Sequence, residues 1–474
     1  MLTNTAVCAS VHARIFAQMP QQTMRYYFFF FITLATAMIL PSHALYAGES
    51  HQRPNIVFIL ADDIGYKDVG FQGAKFATPN IDTLAKGGVV FKNFYSLPVC
   101  TQSRVALLAG VFPHRMNLHN RVIKRDSKKA IPQDVELFPE RLKSLGYQTA
   151  ISGKWHLGHH SKEVRPLARG FDYQFGNYCG FIEYYNHFYK GKPDLWKQGE
   201  LNKRTGYSTH LFAEEAINFL ESAEKLKPVF LYLPFTAAHA TLEAPKEAIK
   251  RNSFIKNKKK RLFAAVVTEM DKAIGQVIDK LKELDRFDNT LIFFSSDNGA
   301  NTRFGGNNGE FQSGKGELYE GGIRVPTVLY YPKKFKAQTN RTVARLVDIA
   351  PTLYSLIGTS GPTYLDGTSL LNELSSSSPE NAPDSSPSLK ERSVLLAYSR
   401  TGIAVRNGNY KAIEDIPNHI AALYNIESDP GESKNLASEN KALFETLIKE
   451  AKAQADGITW KQDSRKKDMK LSEK

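Results

Sequence analysis

Cysteine is scarce: the 474-residue chain holds three. That excludes a disulfide-built scaffold, which uses many more for its size. Acid is in short supply as well, with 48 Asp and Glu against 62 Lys and Arg and a formal net charge of +14. An excess of this sign points to a polyanionic partner: nucleic acid, anionic lipid or an acidic polysaccharide. Long apolar runs are almost missing. The one that stands out, Tyr26–Leu40, has 15 residues, short of the roughly 20 that span a bilayer. What the chain does have is globular composition, 42% hydrophobic and 23% charged, which excludes a mainly disordered protein. Its length fits one large α/β domain with an appendage, or two or three ordinary domains. No internal repeat is visible.

Residues 1–47 contain no acid and two basic residues, Arg14 and Arg25. The apolar run follows Arg25, ends at Pro41 and gives way to the small residues Ser42, Ala44 and Ala47. Positive, apolar, small is the order of a secretory signal. Residues 1–47 are therefore expected to be a signal region, with Met24 as the true start. The protein is expected to pass through the secretion machinery to the periplasm or the extracellular space. No lipid-accepting Cys lies near the cleavage site, so no stable membrane anchor is expected. The mature chain keeps Cys100 and Cys179, enough for one disulfide in an oxidising compartment.

Four segments read as buried parallel strands: Asn55–Ala61, Tyr147–Ser152, Val229–Pro234 and Thr290–Ser295. Each is a short apolar or β-branched run. Helical spacing intervenes near Val135–Leu145, His210–Leu226 and Leu262–Leu284. Strands alternating with helices imply an α/β sheet covered on both faces. This main domain is taken as residues 48–372. Residues 373–390, with a Ser375–Ser378 run and three prolines, read as a linker. Residues 391–460 read as a small antiparallel subdomain, with Asn407-Gly408 signalling a hairpin and a closing helix near Lys441–Gln454. Residues 461–474 form a basic tail. A second basic run, Lys246–Arg261, holds eight basic residues and one acid.

The chemistry collects where the strands end. The first runs into Asp62-Asp63, the second into Gly153-Lys154-Trp155-His156, the third toward His239 and the fourth into Asp297-Asn298. In open α/β sheets, sites lie beyond the carboxyl ends of the strands. Three acids and an amide offer hard oxygen ligands, which favours Ca²⁺ or Mg²⁺ over Zn²⁺. The two His are then free for acid–base work. His156-Leu-Gly-His159-His160 lacks the Glu of the zinc-protease helix, and zinc is not expected there. Gly309–Gly316 nearly fits a nucleotide P-loop, but Gly316 replaces the required Ser/Thr and no strand precedes it. Lys315 is retained as a cation near an anionic group. In Cys100-Thr-Gln-Ser-Arg104 the apolar run that follows marks a helix start, and Cys100 sits at its N-terminus, where N–H groups and the dipole favour anions. Arg104 adds a permanent cation.

These motifs resemble the formylglycine-dependent sulfatases of the alkaline-phosphatase superfamily, over about Pro54 to Ala437. The resemblance is carried by Arg53–Asp63, Thr78-Pro-Asn-Ile-Asp82, Cys100–Arg104, Gly153–Gly158, Asp297-Asn-Gly299, Glu320-Gly-Gly-Ile-Arg324 and Leu423–Leu436. Arg169-Gly-Phe-Asp172, Phe181–His187 and Gly305–Asn308 look similar to the N-acetylgalactosamine-4-sulfatase (arylsulfatase B-like) branch. One departure is Gln102, where the family signature usually has Pro or Ala.

The resemblance implies an alkaline-phosphatase-like fold: a large, mostly parallel sheet sandwiched by helices, with a smaller C-terminal antiparallel sheet subdomain. It implies a sulfuric ester hydrolase in which a maturation enzyme oxidises Cys100 to formylglycine. One hydroxyl of the aldehyde hydrate would attack sulfur, and the second would expel sulfate, splitting one hard step into two. One Ca²⁺ would be held by Asp62, Asp63, Asp297 and Asn298, together with residue 100 itself, Cys100 in the sequence. Arg104 and Lys154 would stabilise the nucleophile and the transferring group. His156 would accept a proton from the hydrate, and His239 and Lys315 would bind sulfate and protonate the leaving alcohol. A sulfated carbohydrate, a glycosaminoglycan or an algal polysaccharide, becomes the expected polyanion, and no nucleic-acid partner is expected. Tyr178, Phe181, Tyr184, Tyr185 and Trp196 are candidates to stack on sugar rings. Two other readings stay open. One is a phosphoester or phosphonate hydrolase of the same superfamily; the other is a sulfated-glycan-binding protein in which Cys100 is never matured.

Overall fold

The strand Asn55–Ala61 (β1) is buried along its whole length, and its two faces feed two cores. Ile56, Phe58 and Leu60 belong to one; Val57, Ile59 and Ala61 belong to the other. This is the two-residue period of a pleated strand with helices on both sides. The computed structural model describes residues 53–120, 122–375 and 393–457. Residue 121, the segment expected to be a signal region, most of the segment expected to be a linker and the basic tail lie outside the described residues.

Nine further strands complete the main sheet: β2 (Val89–Phe91), β3 (Gln148–Ser152), β4 (Tyr173–Gly176), β5 (Trp196–Lys197), β6 (Glu200–Leu201), β7 (Val229–Pro234), β8 (Thr290–Ser296), β9 (Thr327–Tyr330) and β10 (Gln338–Asn340). Their order is β10-β2-β9-β8-β1-β7-β3-β4-β5-β6. The central five, β8-β1-β7-β3-β4, are parallel. The flanks add antiparallel pairs. The four strands read from the sequence are thus four of the five parallel ones. They are buried along almost their whole length, because both faces are covered.

Helix α1 (Cys100–Ala109) packs on the first face and helices α2 (Ser208–Ser222) and α3 (Lys258–Glu283) on the second. All ten residues of α1 are buried, unlike α3, whose one-sided apolar stripe includes Val266, Met270 and Ile274 and meets the second face. Phe58 anchors the first core against the rings of Phe138, Phe230 and Phe293, at centroid distances of 5.3–5.8 Å. Truncating a core aromatic of this kind costs about 3–5 kcal/mol.

A four-stranded antiparallel sheet, β11 (Val394–Ser399), β12 (Gly402–Asn407), β13 (Tyr410–Asp415) and β14 (Ile420–Asn425), packs against the closing helix α4 (Lys441–Gly457). The hairpin is present with its turn one residue later than read: Asn407 pairs with Tyr410, so Gly408-Asn409 is the loop, and Gly408 takes φ +53°. Strand β14 escapes the sequence reading because Ile-Ala-Ala-Leu is weakly β-forming.

One buried charge group ties this sheet to the main one. Lys411 on β13 donates to Glu320 at 2.9 Å and to Glu432 at 2.8 Å, with all three side chains fully buried. Arg324 closes on the other Glu320 oxygen at 3.0 Å. Glu320-Gly-Gly-Ile-Arg324 is therefore a clamp, and it also props the β8 end. Gly299 N–H donates to the Gly322 carbonyl at 2.9 Å, and a Cβ on Gly299 would fall 1.8 Å from the Gly321 oxygen. Among the described residues, no helix is long and apolar enough to cross a membrane.

Candidate active site

Strands β1 and β8 pair in parallel register through Ala61 and Ser296, so Asp62-Asp63 and Asp297-Asn298 leave the sheet side by side. Asp63 N–H reaches an Asp297 oxygen at 3.4 Å, and Asn298 donates to Asp63 at 2.7 Å. All four residues are buried. Helix α1 delivers Cys100 beside them, its Sγ 3.5 Å from Asp62 Oδ1. The residue before α1, Val99, offers no side-chain cap, so the N–H groups at this end are not taken by one. One turn on, Arg104 aims Nε and Nη2 at one Asp297 oxygen, at 3.1 and 2.8 Å. Its third nitrogen is held by the Lys154 carbonyl at 3.0 Å. Lys154, after β3, donates to Asp62 at 2.6 Å. Lys315, from an irregular loop, bridges both Asp63 oxygens at 2.6 and 2.9 Å.

Three carboxylates thus face three cations in a nearly dry space. Burial alone would raise the Asp63 carboxyl; Lys315 and His239 outweigh it and hold the group below its ordinary value. Burial works against the charge on Lys315, and Asp63 with Cys100 and Asp62 overcomes it, holding the amine well above the usual range. Arg104 is held in its charged form in the same way. For the Cys100 thiol the help of Lys154 and Lys315 does not suffice. Burial, then Asp297 and Asp62, push it up to about 12.

The two His differ. His156 is 3% exposed, and its Nε2 meets the Ile123 carbonyl at 3.1 Å. A carbonyl accepts, so Nε2 carries the proton and Nδ1 is the acceptor. That Nδ1 is buried with no partner. Burial, then Lys154 and Arg104, lower this His well below its ordinary value, so the ring is neutral. His239, after β7, donates from Nδ1 to the Ala240 carbonyl at 2.5 Å and turns Nε2 toward Asp63, 4.0 Å away. Phe181 stacks on its ring at 5.2 Å. Asp63 and His156 both take left-handed backbone, φ +61° and +63°, a conformation that costs a non-glycine residue about 1–3 kcal/mol and collects at functional sites.

Four of the residues read from the sequence as the metal site lie close enough to share one cation. Ligand atoms of Asp62, Asp63, Cys100 and Asp297 lie within 4.8 Å of one another. Asn298 Oδ1 is buried without a hydrogen-bond partner, an oxygen left over for a cation. Apart from the Cys100 sulfur, the donors are hard oxygens, which suits Ca²⁺.

Several expectations are corrected. Cys100 and Cys179 are free thiols, both buried, and form no disulfide. Of the candidate sugar-stacking aromatics, Tyr178 is buried and stacks on Trp196 at 4.9 Å, with Arg165 over both rings. Tyr184 is fully buried against Tyr207. Phe181 is spent on His239. Tyr185 is the one left exposed, at 42%. The basic run Lys246–Arg261 splits in two: Lys258, Lys259 and Lys260 form the exposed first turn of α3, which has no acid. The sequence reading missed Asp68, whose Oδ2 accepts from Gly65 N–H at 2.9 Å and Asn307 N–H at 2.8 Å, pinning the 305–308 loop to the end of β1. The spacing Asp62-Asp63-Ile-Gly-Tyr-Lys-Asp68 was its only local signal.

The sulfatase family profile matches residues 54–359, a span that contains every residue of this cluster. The chain belongs to the sulfatase family. The profile described as N-sulphoglucosamine sulphohydrolase, C-terminal, matches residues 306–456 of the same sulfatase. N-acetylgalactosamine-6-sulfatase of Mus musculus is 33% identical over 407 residues, covering 79% of this chain and 74% of that protein. Arylsulfatase J of Mus musculus is 35% identical over 313 residues, covering 64% of this chain. The sulfatase matches about half, 52%, of the length of arylsulfatase J. Among solved structures, that of Ps i-CgsB in complex with k-i-k-neocarrahexaose is 31% identical, with a TM-score of 0.77, covering 89% of this chain and 98% of that one. The sulfatase is a sulfuric ester hydrolase with the alkaline-phosphatase-like fold.

Proposed function

We propose that this sulfatase removes sulfate from a sulfated carbohydrate, with a formylglycine made from Cys100 as nucleophile and one Ca²⁺ held by Asp62, Asp63, Asp297 and Asn298. The observation that carries the proposal is Cys100 itself. It stands at the N-terminus of a buried helix, 3.5 Å from Asp62, as a thiol pushed up to about 12 and so a poor nucleophile as it stands. When present, the aldehyde hydrate supplies an oxygen nucleophile and the ion supplies positive charge for sulfate oxygens.

The chain's own groups account for the rest. Asp62, Asp63 and Asp297 balance Arg104, Lys154 and Lys315. A divalent cation added to this balanced set leaves an excess of positive charge that only an anion can meet. Neutral His156, with its buried and unpartnered Nδ1, takes a proton from the nucleophile. Lys315, held in its charged form, and His239 bind the sulfate group and protonate the leaving alcohol, which is a poor leaving group without it. The names of two relatives, N-acetylgalactosamine-6-sulfatase and the neocarrahexaose complex, support a saccharide as substrate. The proposal includes a formylglycine-generating maturation enzyme as partner and export to the periplasm or beyond. Its domains are a catalytic region of residues 48–372, a 373–390 linker, a 391–460 subdomain and a 461–474 tail.

The test is released sulfate from a panel of defined sulfated sugars, run beside nitrophenyl sulfate and nitrophenyl phosphate. At least one sugar should lose sulfate, and the sulfate ester should be turned over at least about 100-fold faster than the phosphate. Preference for phosphate, or no sugar desulfated, counts against the proposal.

The first turn of α3 bears on substrate size. Three lysines at a helix N-terminus oppose the helix dipole, each costing about 0.3–1 kcal/mol, so they do not serve the helix. Their backbone abuts the site's rim: a Cβ on Gly305 would meet the Lys259 carbonyl at 2.9 Å. Replacing Lys258, Lys259 and Lys260 together by Gln is expected to lower kcat/KM on a sulfated polymer about 10-fold at low salt, relative to nitrophenyl sulfate, and the gap should close at high salt. Equal loss on both substrates contradicts this role.

A further inference from the structure

A cavity of about 320 Å³ opens beside Cys100 and takes in none of the groups assigned above. That is within the usual size of ligand clefts, about 300–1,000 Å³. Three of its walls are extensions of the site. Pro98, Val99 and Gln102 come from the start of α1. Val122 and Lys124 flank Ile123, the residue whose carbonyl fixes His156. Gly316 follows Lys315 and is tied back to the Pro98 carbonyl at 2.8 Å. The fourth wall is the turn between β11 and β12, which brings Arg400 from the C-terminal sheet.

Two observations mark this cavity as a binding site. The first is Gln102, which is 2% exposed. Its Nε2 donates to the His119 carbonyl, and because a carbonyl only accepts, the amide's orientation is settled. The Arg400 N–H donates to the same carbonyl at 3.1 Å. Gln102 Oε1 is left buried with no partner, although buried acceptors are almost always satisfied. Gln102 is also one of the residues that line the cavity. The second is the rim. Lys124 and Arg400 are exposed, and neither side chain is hydrogen-bonded or ion-paired among the described residues. They add two free cations at a distance from those already engaged with the three carboxylates.

Resting on the carbohydrate reading above, we propose that this cavity is a saccharide subsite. Pro98, Val99 and Val122 form the apolar wall for a sugar's C–H face. Gln102 completes that wall. Lys124 and Arg400 bind a second anionic group of the substrate, a sulfate or a carboxylate, beyond the sulfate being removed.

The experiment compares matured wild type, Arg400→Gln, Lys124→Gln, Arg400→Lys and Gln102→Ala, with the aldehyde content of each verified by mass spectrometry. The substrates are disaccharides carrying the scissile sulfate alone, with a second sulfate, or with a carboxylate, and nitrophenyl sulfate. Wild type should prefer one of the doubly anionic disaccharides, and which one identifies the second anion. Arg400→Gln and Lys124→Gln should each reduce that preference about 10-fold through KM, the size of a lost charge-assisted contact. Arg400→Lys should recover part of it. Gln102→Ala should raise KM on every disaccharide relative to nitrophenyl sulfate. Disaccharide turnover with an unchanged preference in both charge variants overturns the subsite alone. Turnover of nitrophenyl sulfate with no saccharide desulfated overturns the carbohydrate reading and the subsite with it.

Discussion

Replacing Cys100 by Ala is expected to lower sulfate release by at least about 10⁴-fold, the scale seen when a covalent catalyst loses its nucleophile. The fold should survive. Cys100 makes no disulfide, and its Sγ touches a carboxylate at 3.5 Å, not an apolar neighbour whose packing would be lost. A stability change of about 1 kcal/mol or less is expected, as for an ordinary substitution. Circular dichroism and thermal unfolding check the fold, and sulfate release checks the chemistry. Turnover close to wild type would mean that residue 100 is not the attacking group. A collapse of the fold together with activity would mean that the helix start, not the nucleophile, had been removed.

The second large effect is expected at Asp297, through stability as well as activity. Arg104 directs two nitrogens at one Asp297 oxygen, at 2.8 and 3.1 Å, and both side chains are fully buried. Asp297→Ala leaves that guanidinium charged and dry. Breaking a buried pair from one side costs about 3–5 kcal/mol, whereas replacing both partners by apolar groups is often close to neutral. The double variant Asp297→Ala with Arg104→Met should therefore recover much of the lost stability and none of the activity. The same carboxylate is a proposed calcium ligand. Saturating calcium at 100 times its Kd is worth about 2.7 kcal/mol to a folded protein that binds it. Wild type should lose thermal stability in a calcium chelator, and Asp297→Ala should barely respond. Unchanged stability in the single variant contradicts the buried pair, and an undiminished calcium response contradicts the ligand assignment.

The strand ends were legible because the physics there is local. A short apolar run followed by Asp-Asp, Lys-Trp-His or Asp-Asn is visible without knowing the neighbours, and the parallel sheet brings such ends to one edge. The start of α1 was legible for the same reason. What stayed hidden depends on partners far along the chain. Nothing near Glu320 announces Lys411, 91 residues on, so the Glu320–Arg324 motif carries a resemblance and no structural role until the two sheets are seen to share it. Tyr178 and Trp196 carry the composition of a sugar platform, yet they are consumed by each other and by Arg165. Gln102 reads as a departure from a signature, and only the fold shows that it lines a cavity beside the nucleophile. Lys315 falls between these cases. A failed P-loop gave it a charge, but its grip on both Asp63 oxygens comes from an irregular loop that no periodicity predicts.

The most direct test is a mass spectrum of the peptide carrying residue 100, taken from preparations whose sulfate release has been measured. The account predicts an aldehyde at that position, in a fraction that rises and falls with specific activity from one preparation to the next. Full activity in protein whose residue 100 is wholly the unmodified thiol would contradict it.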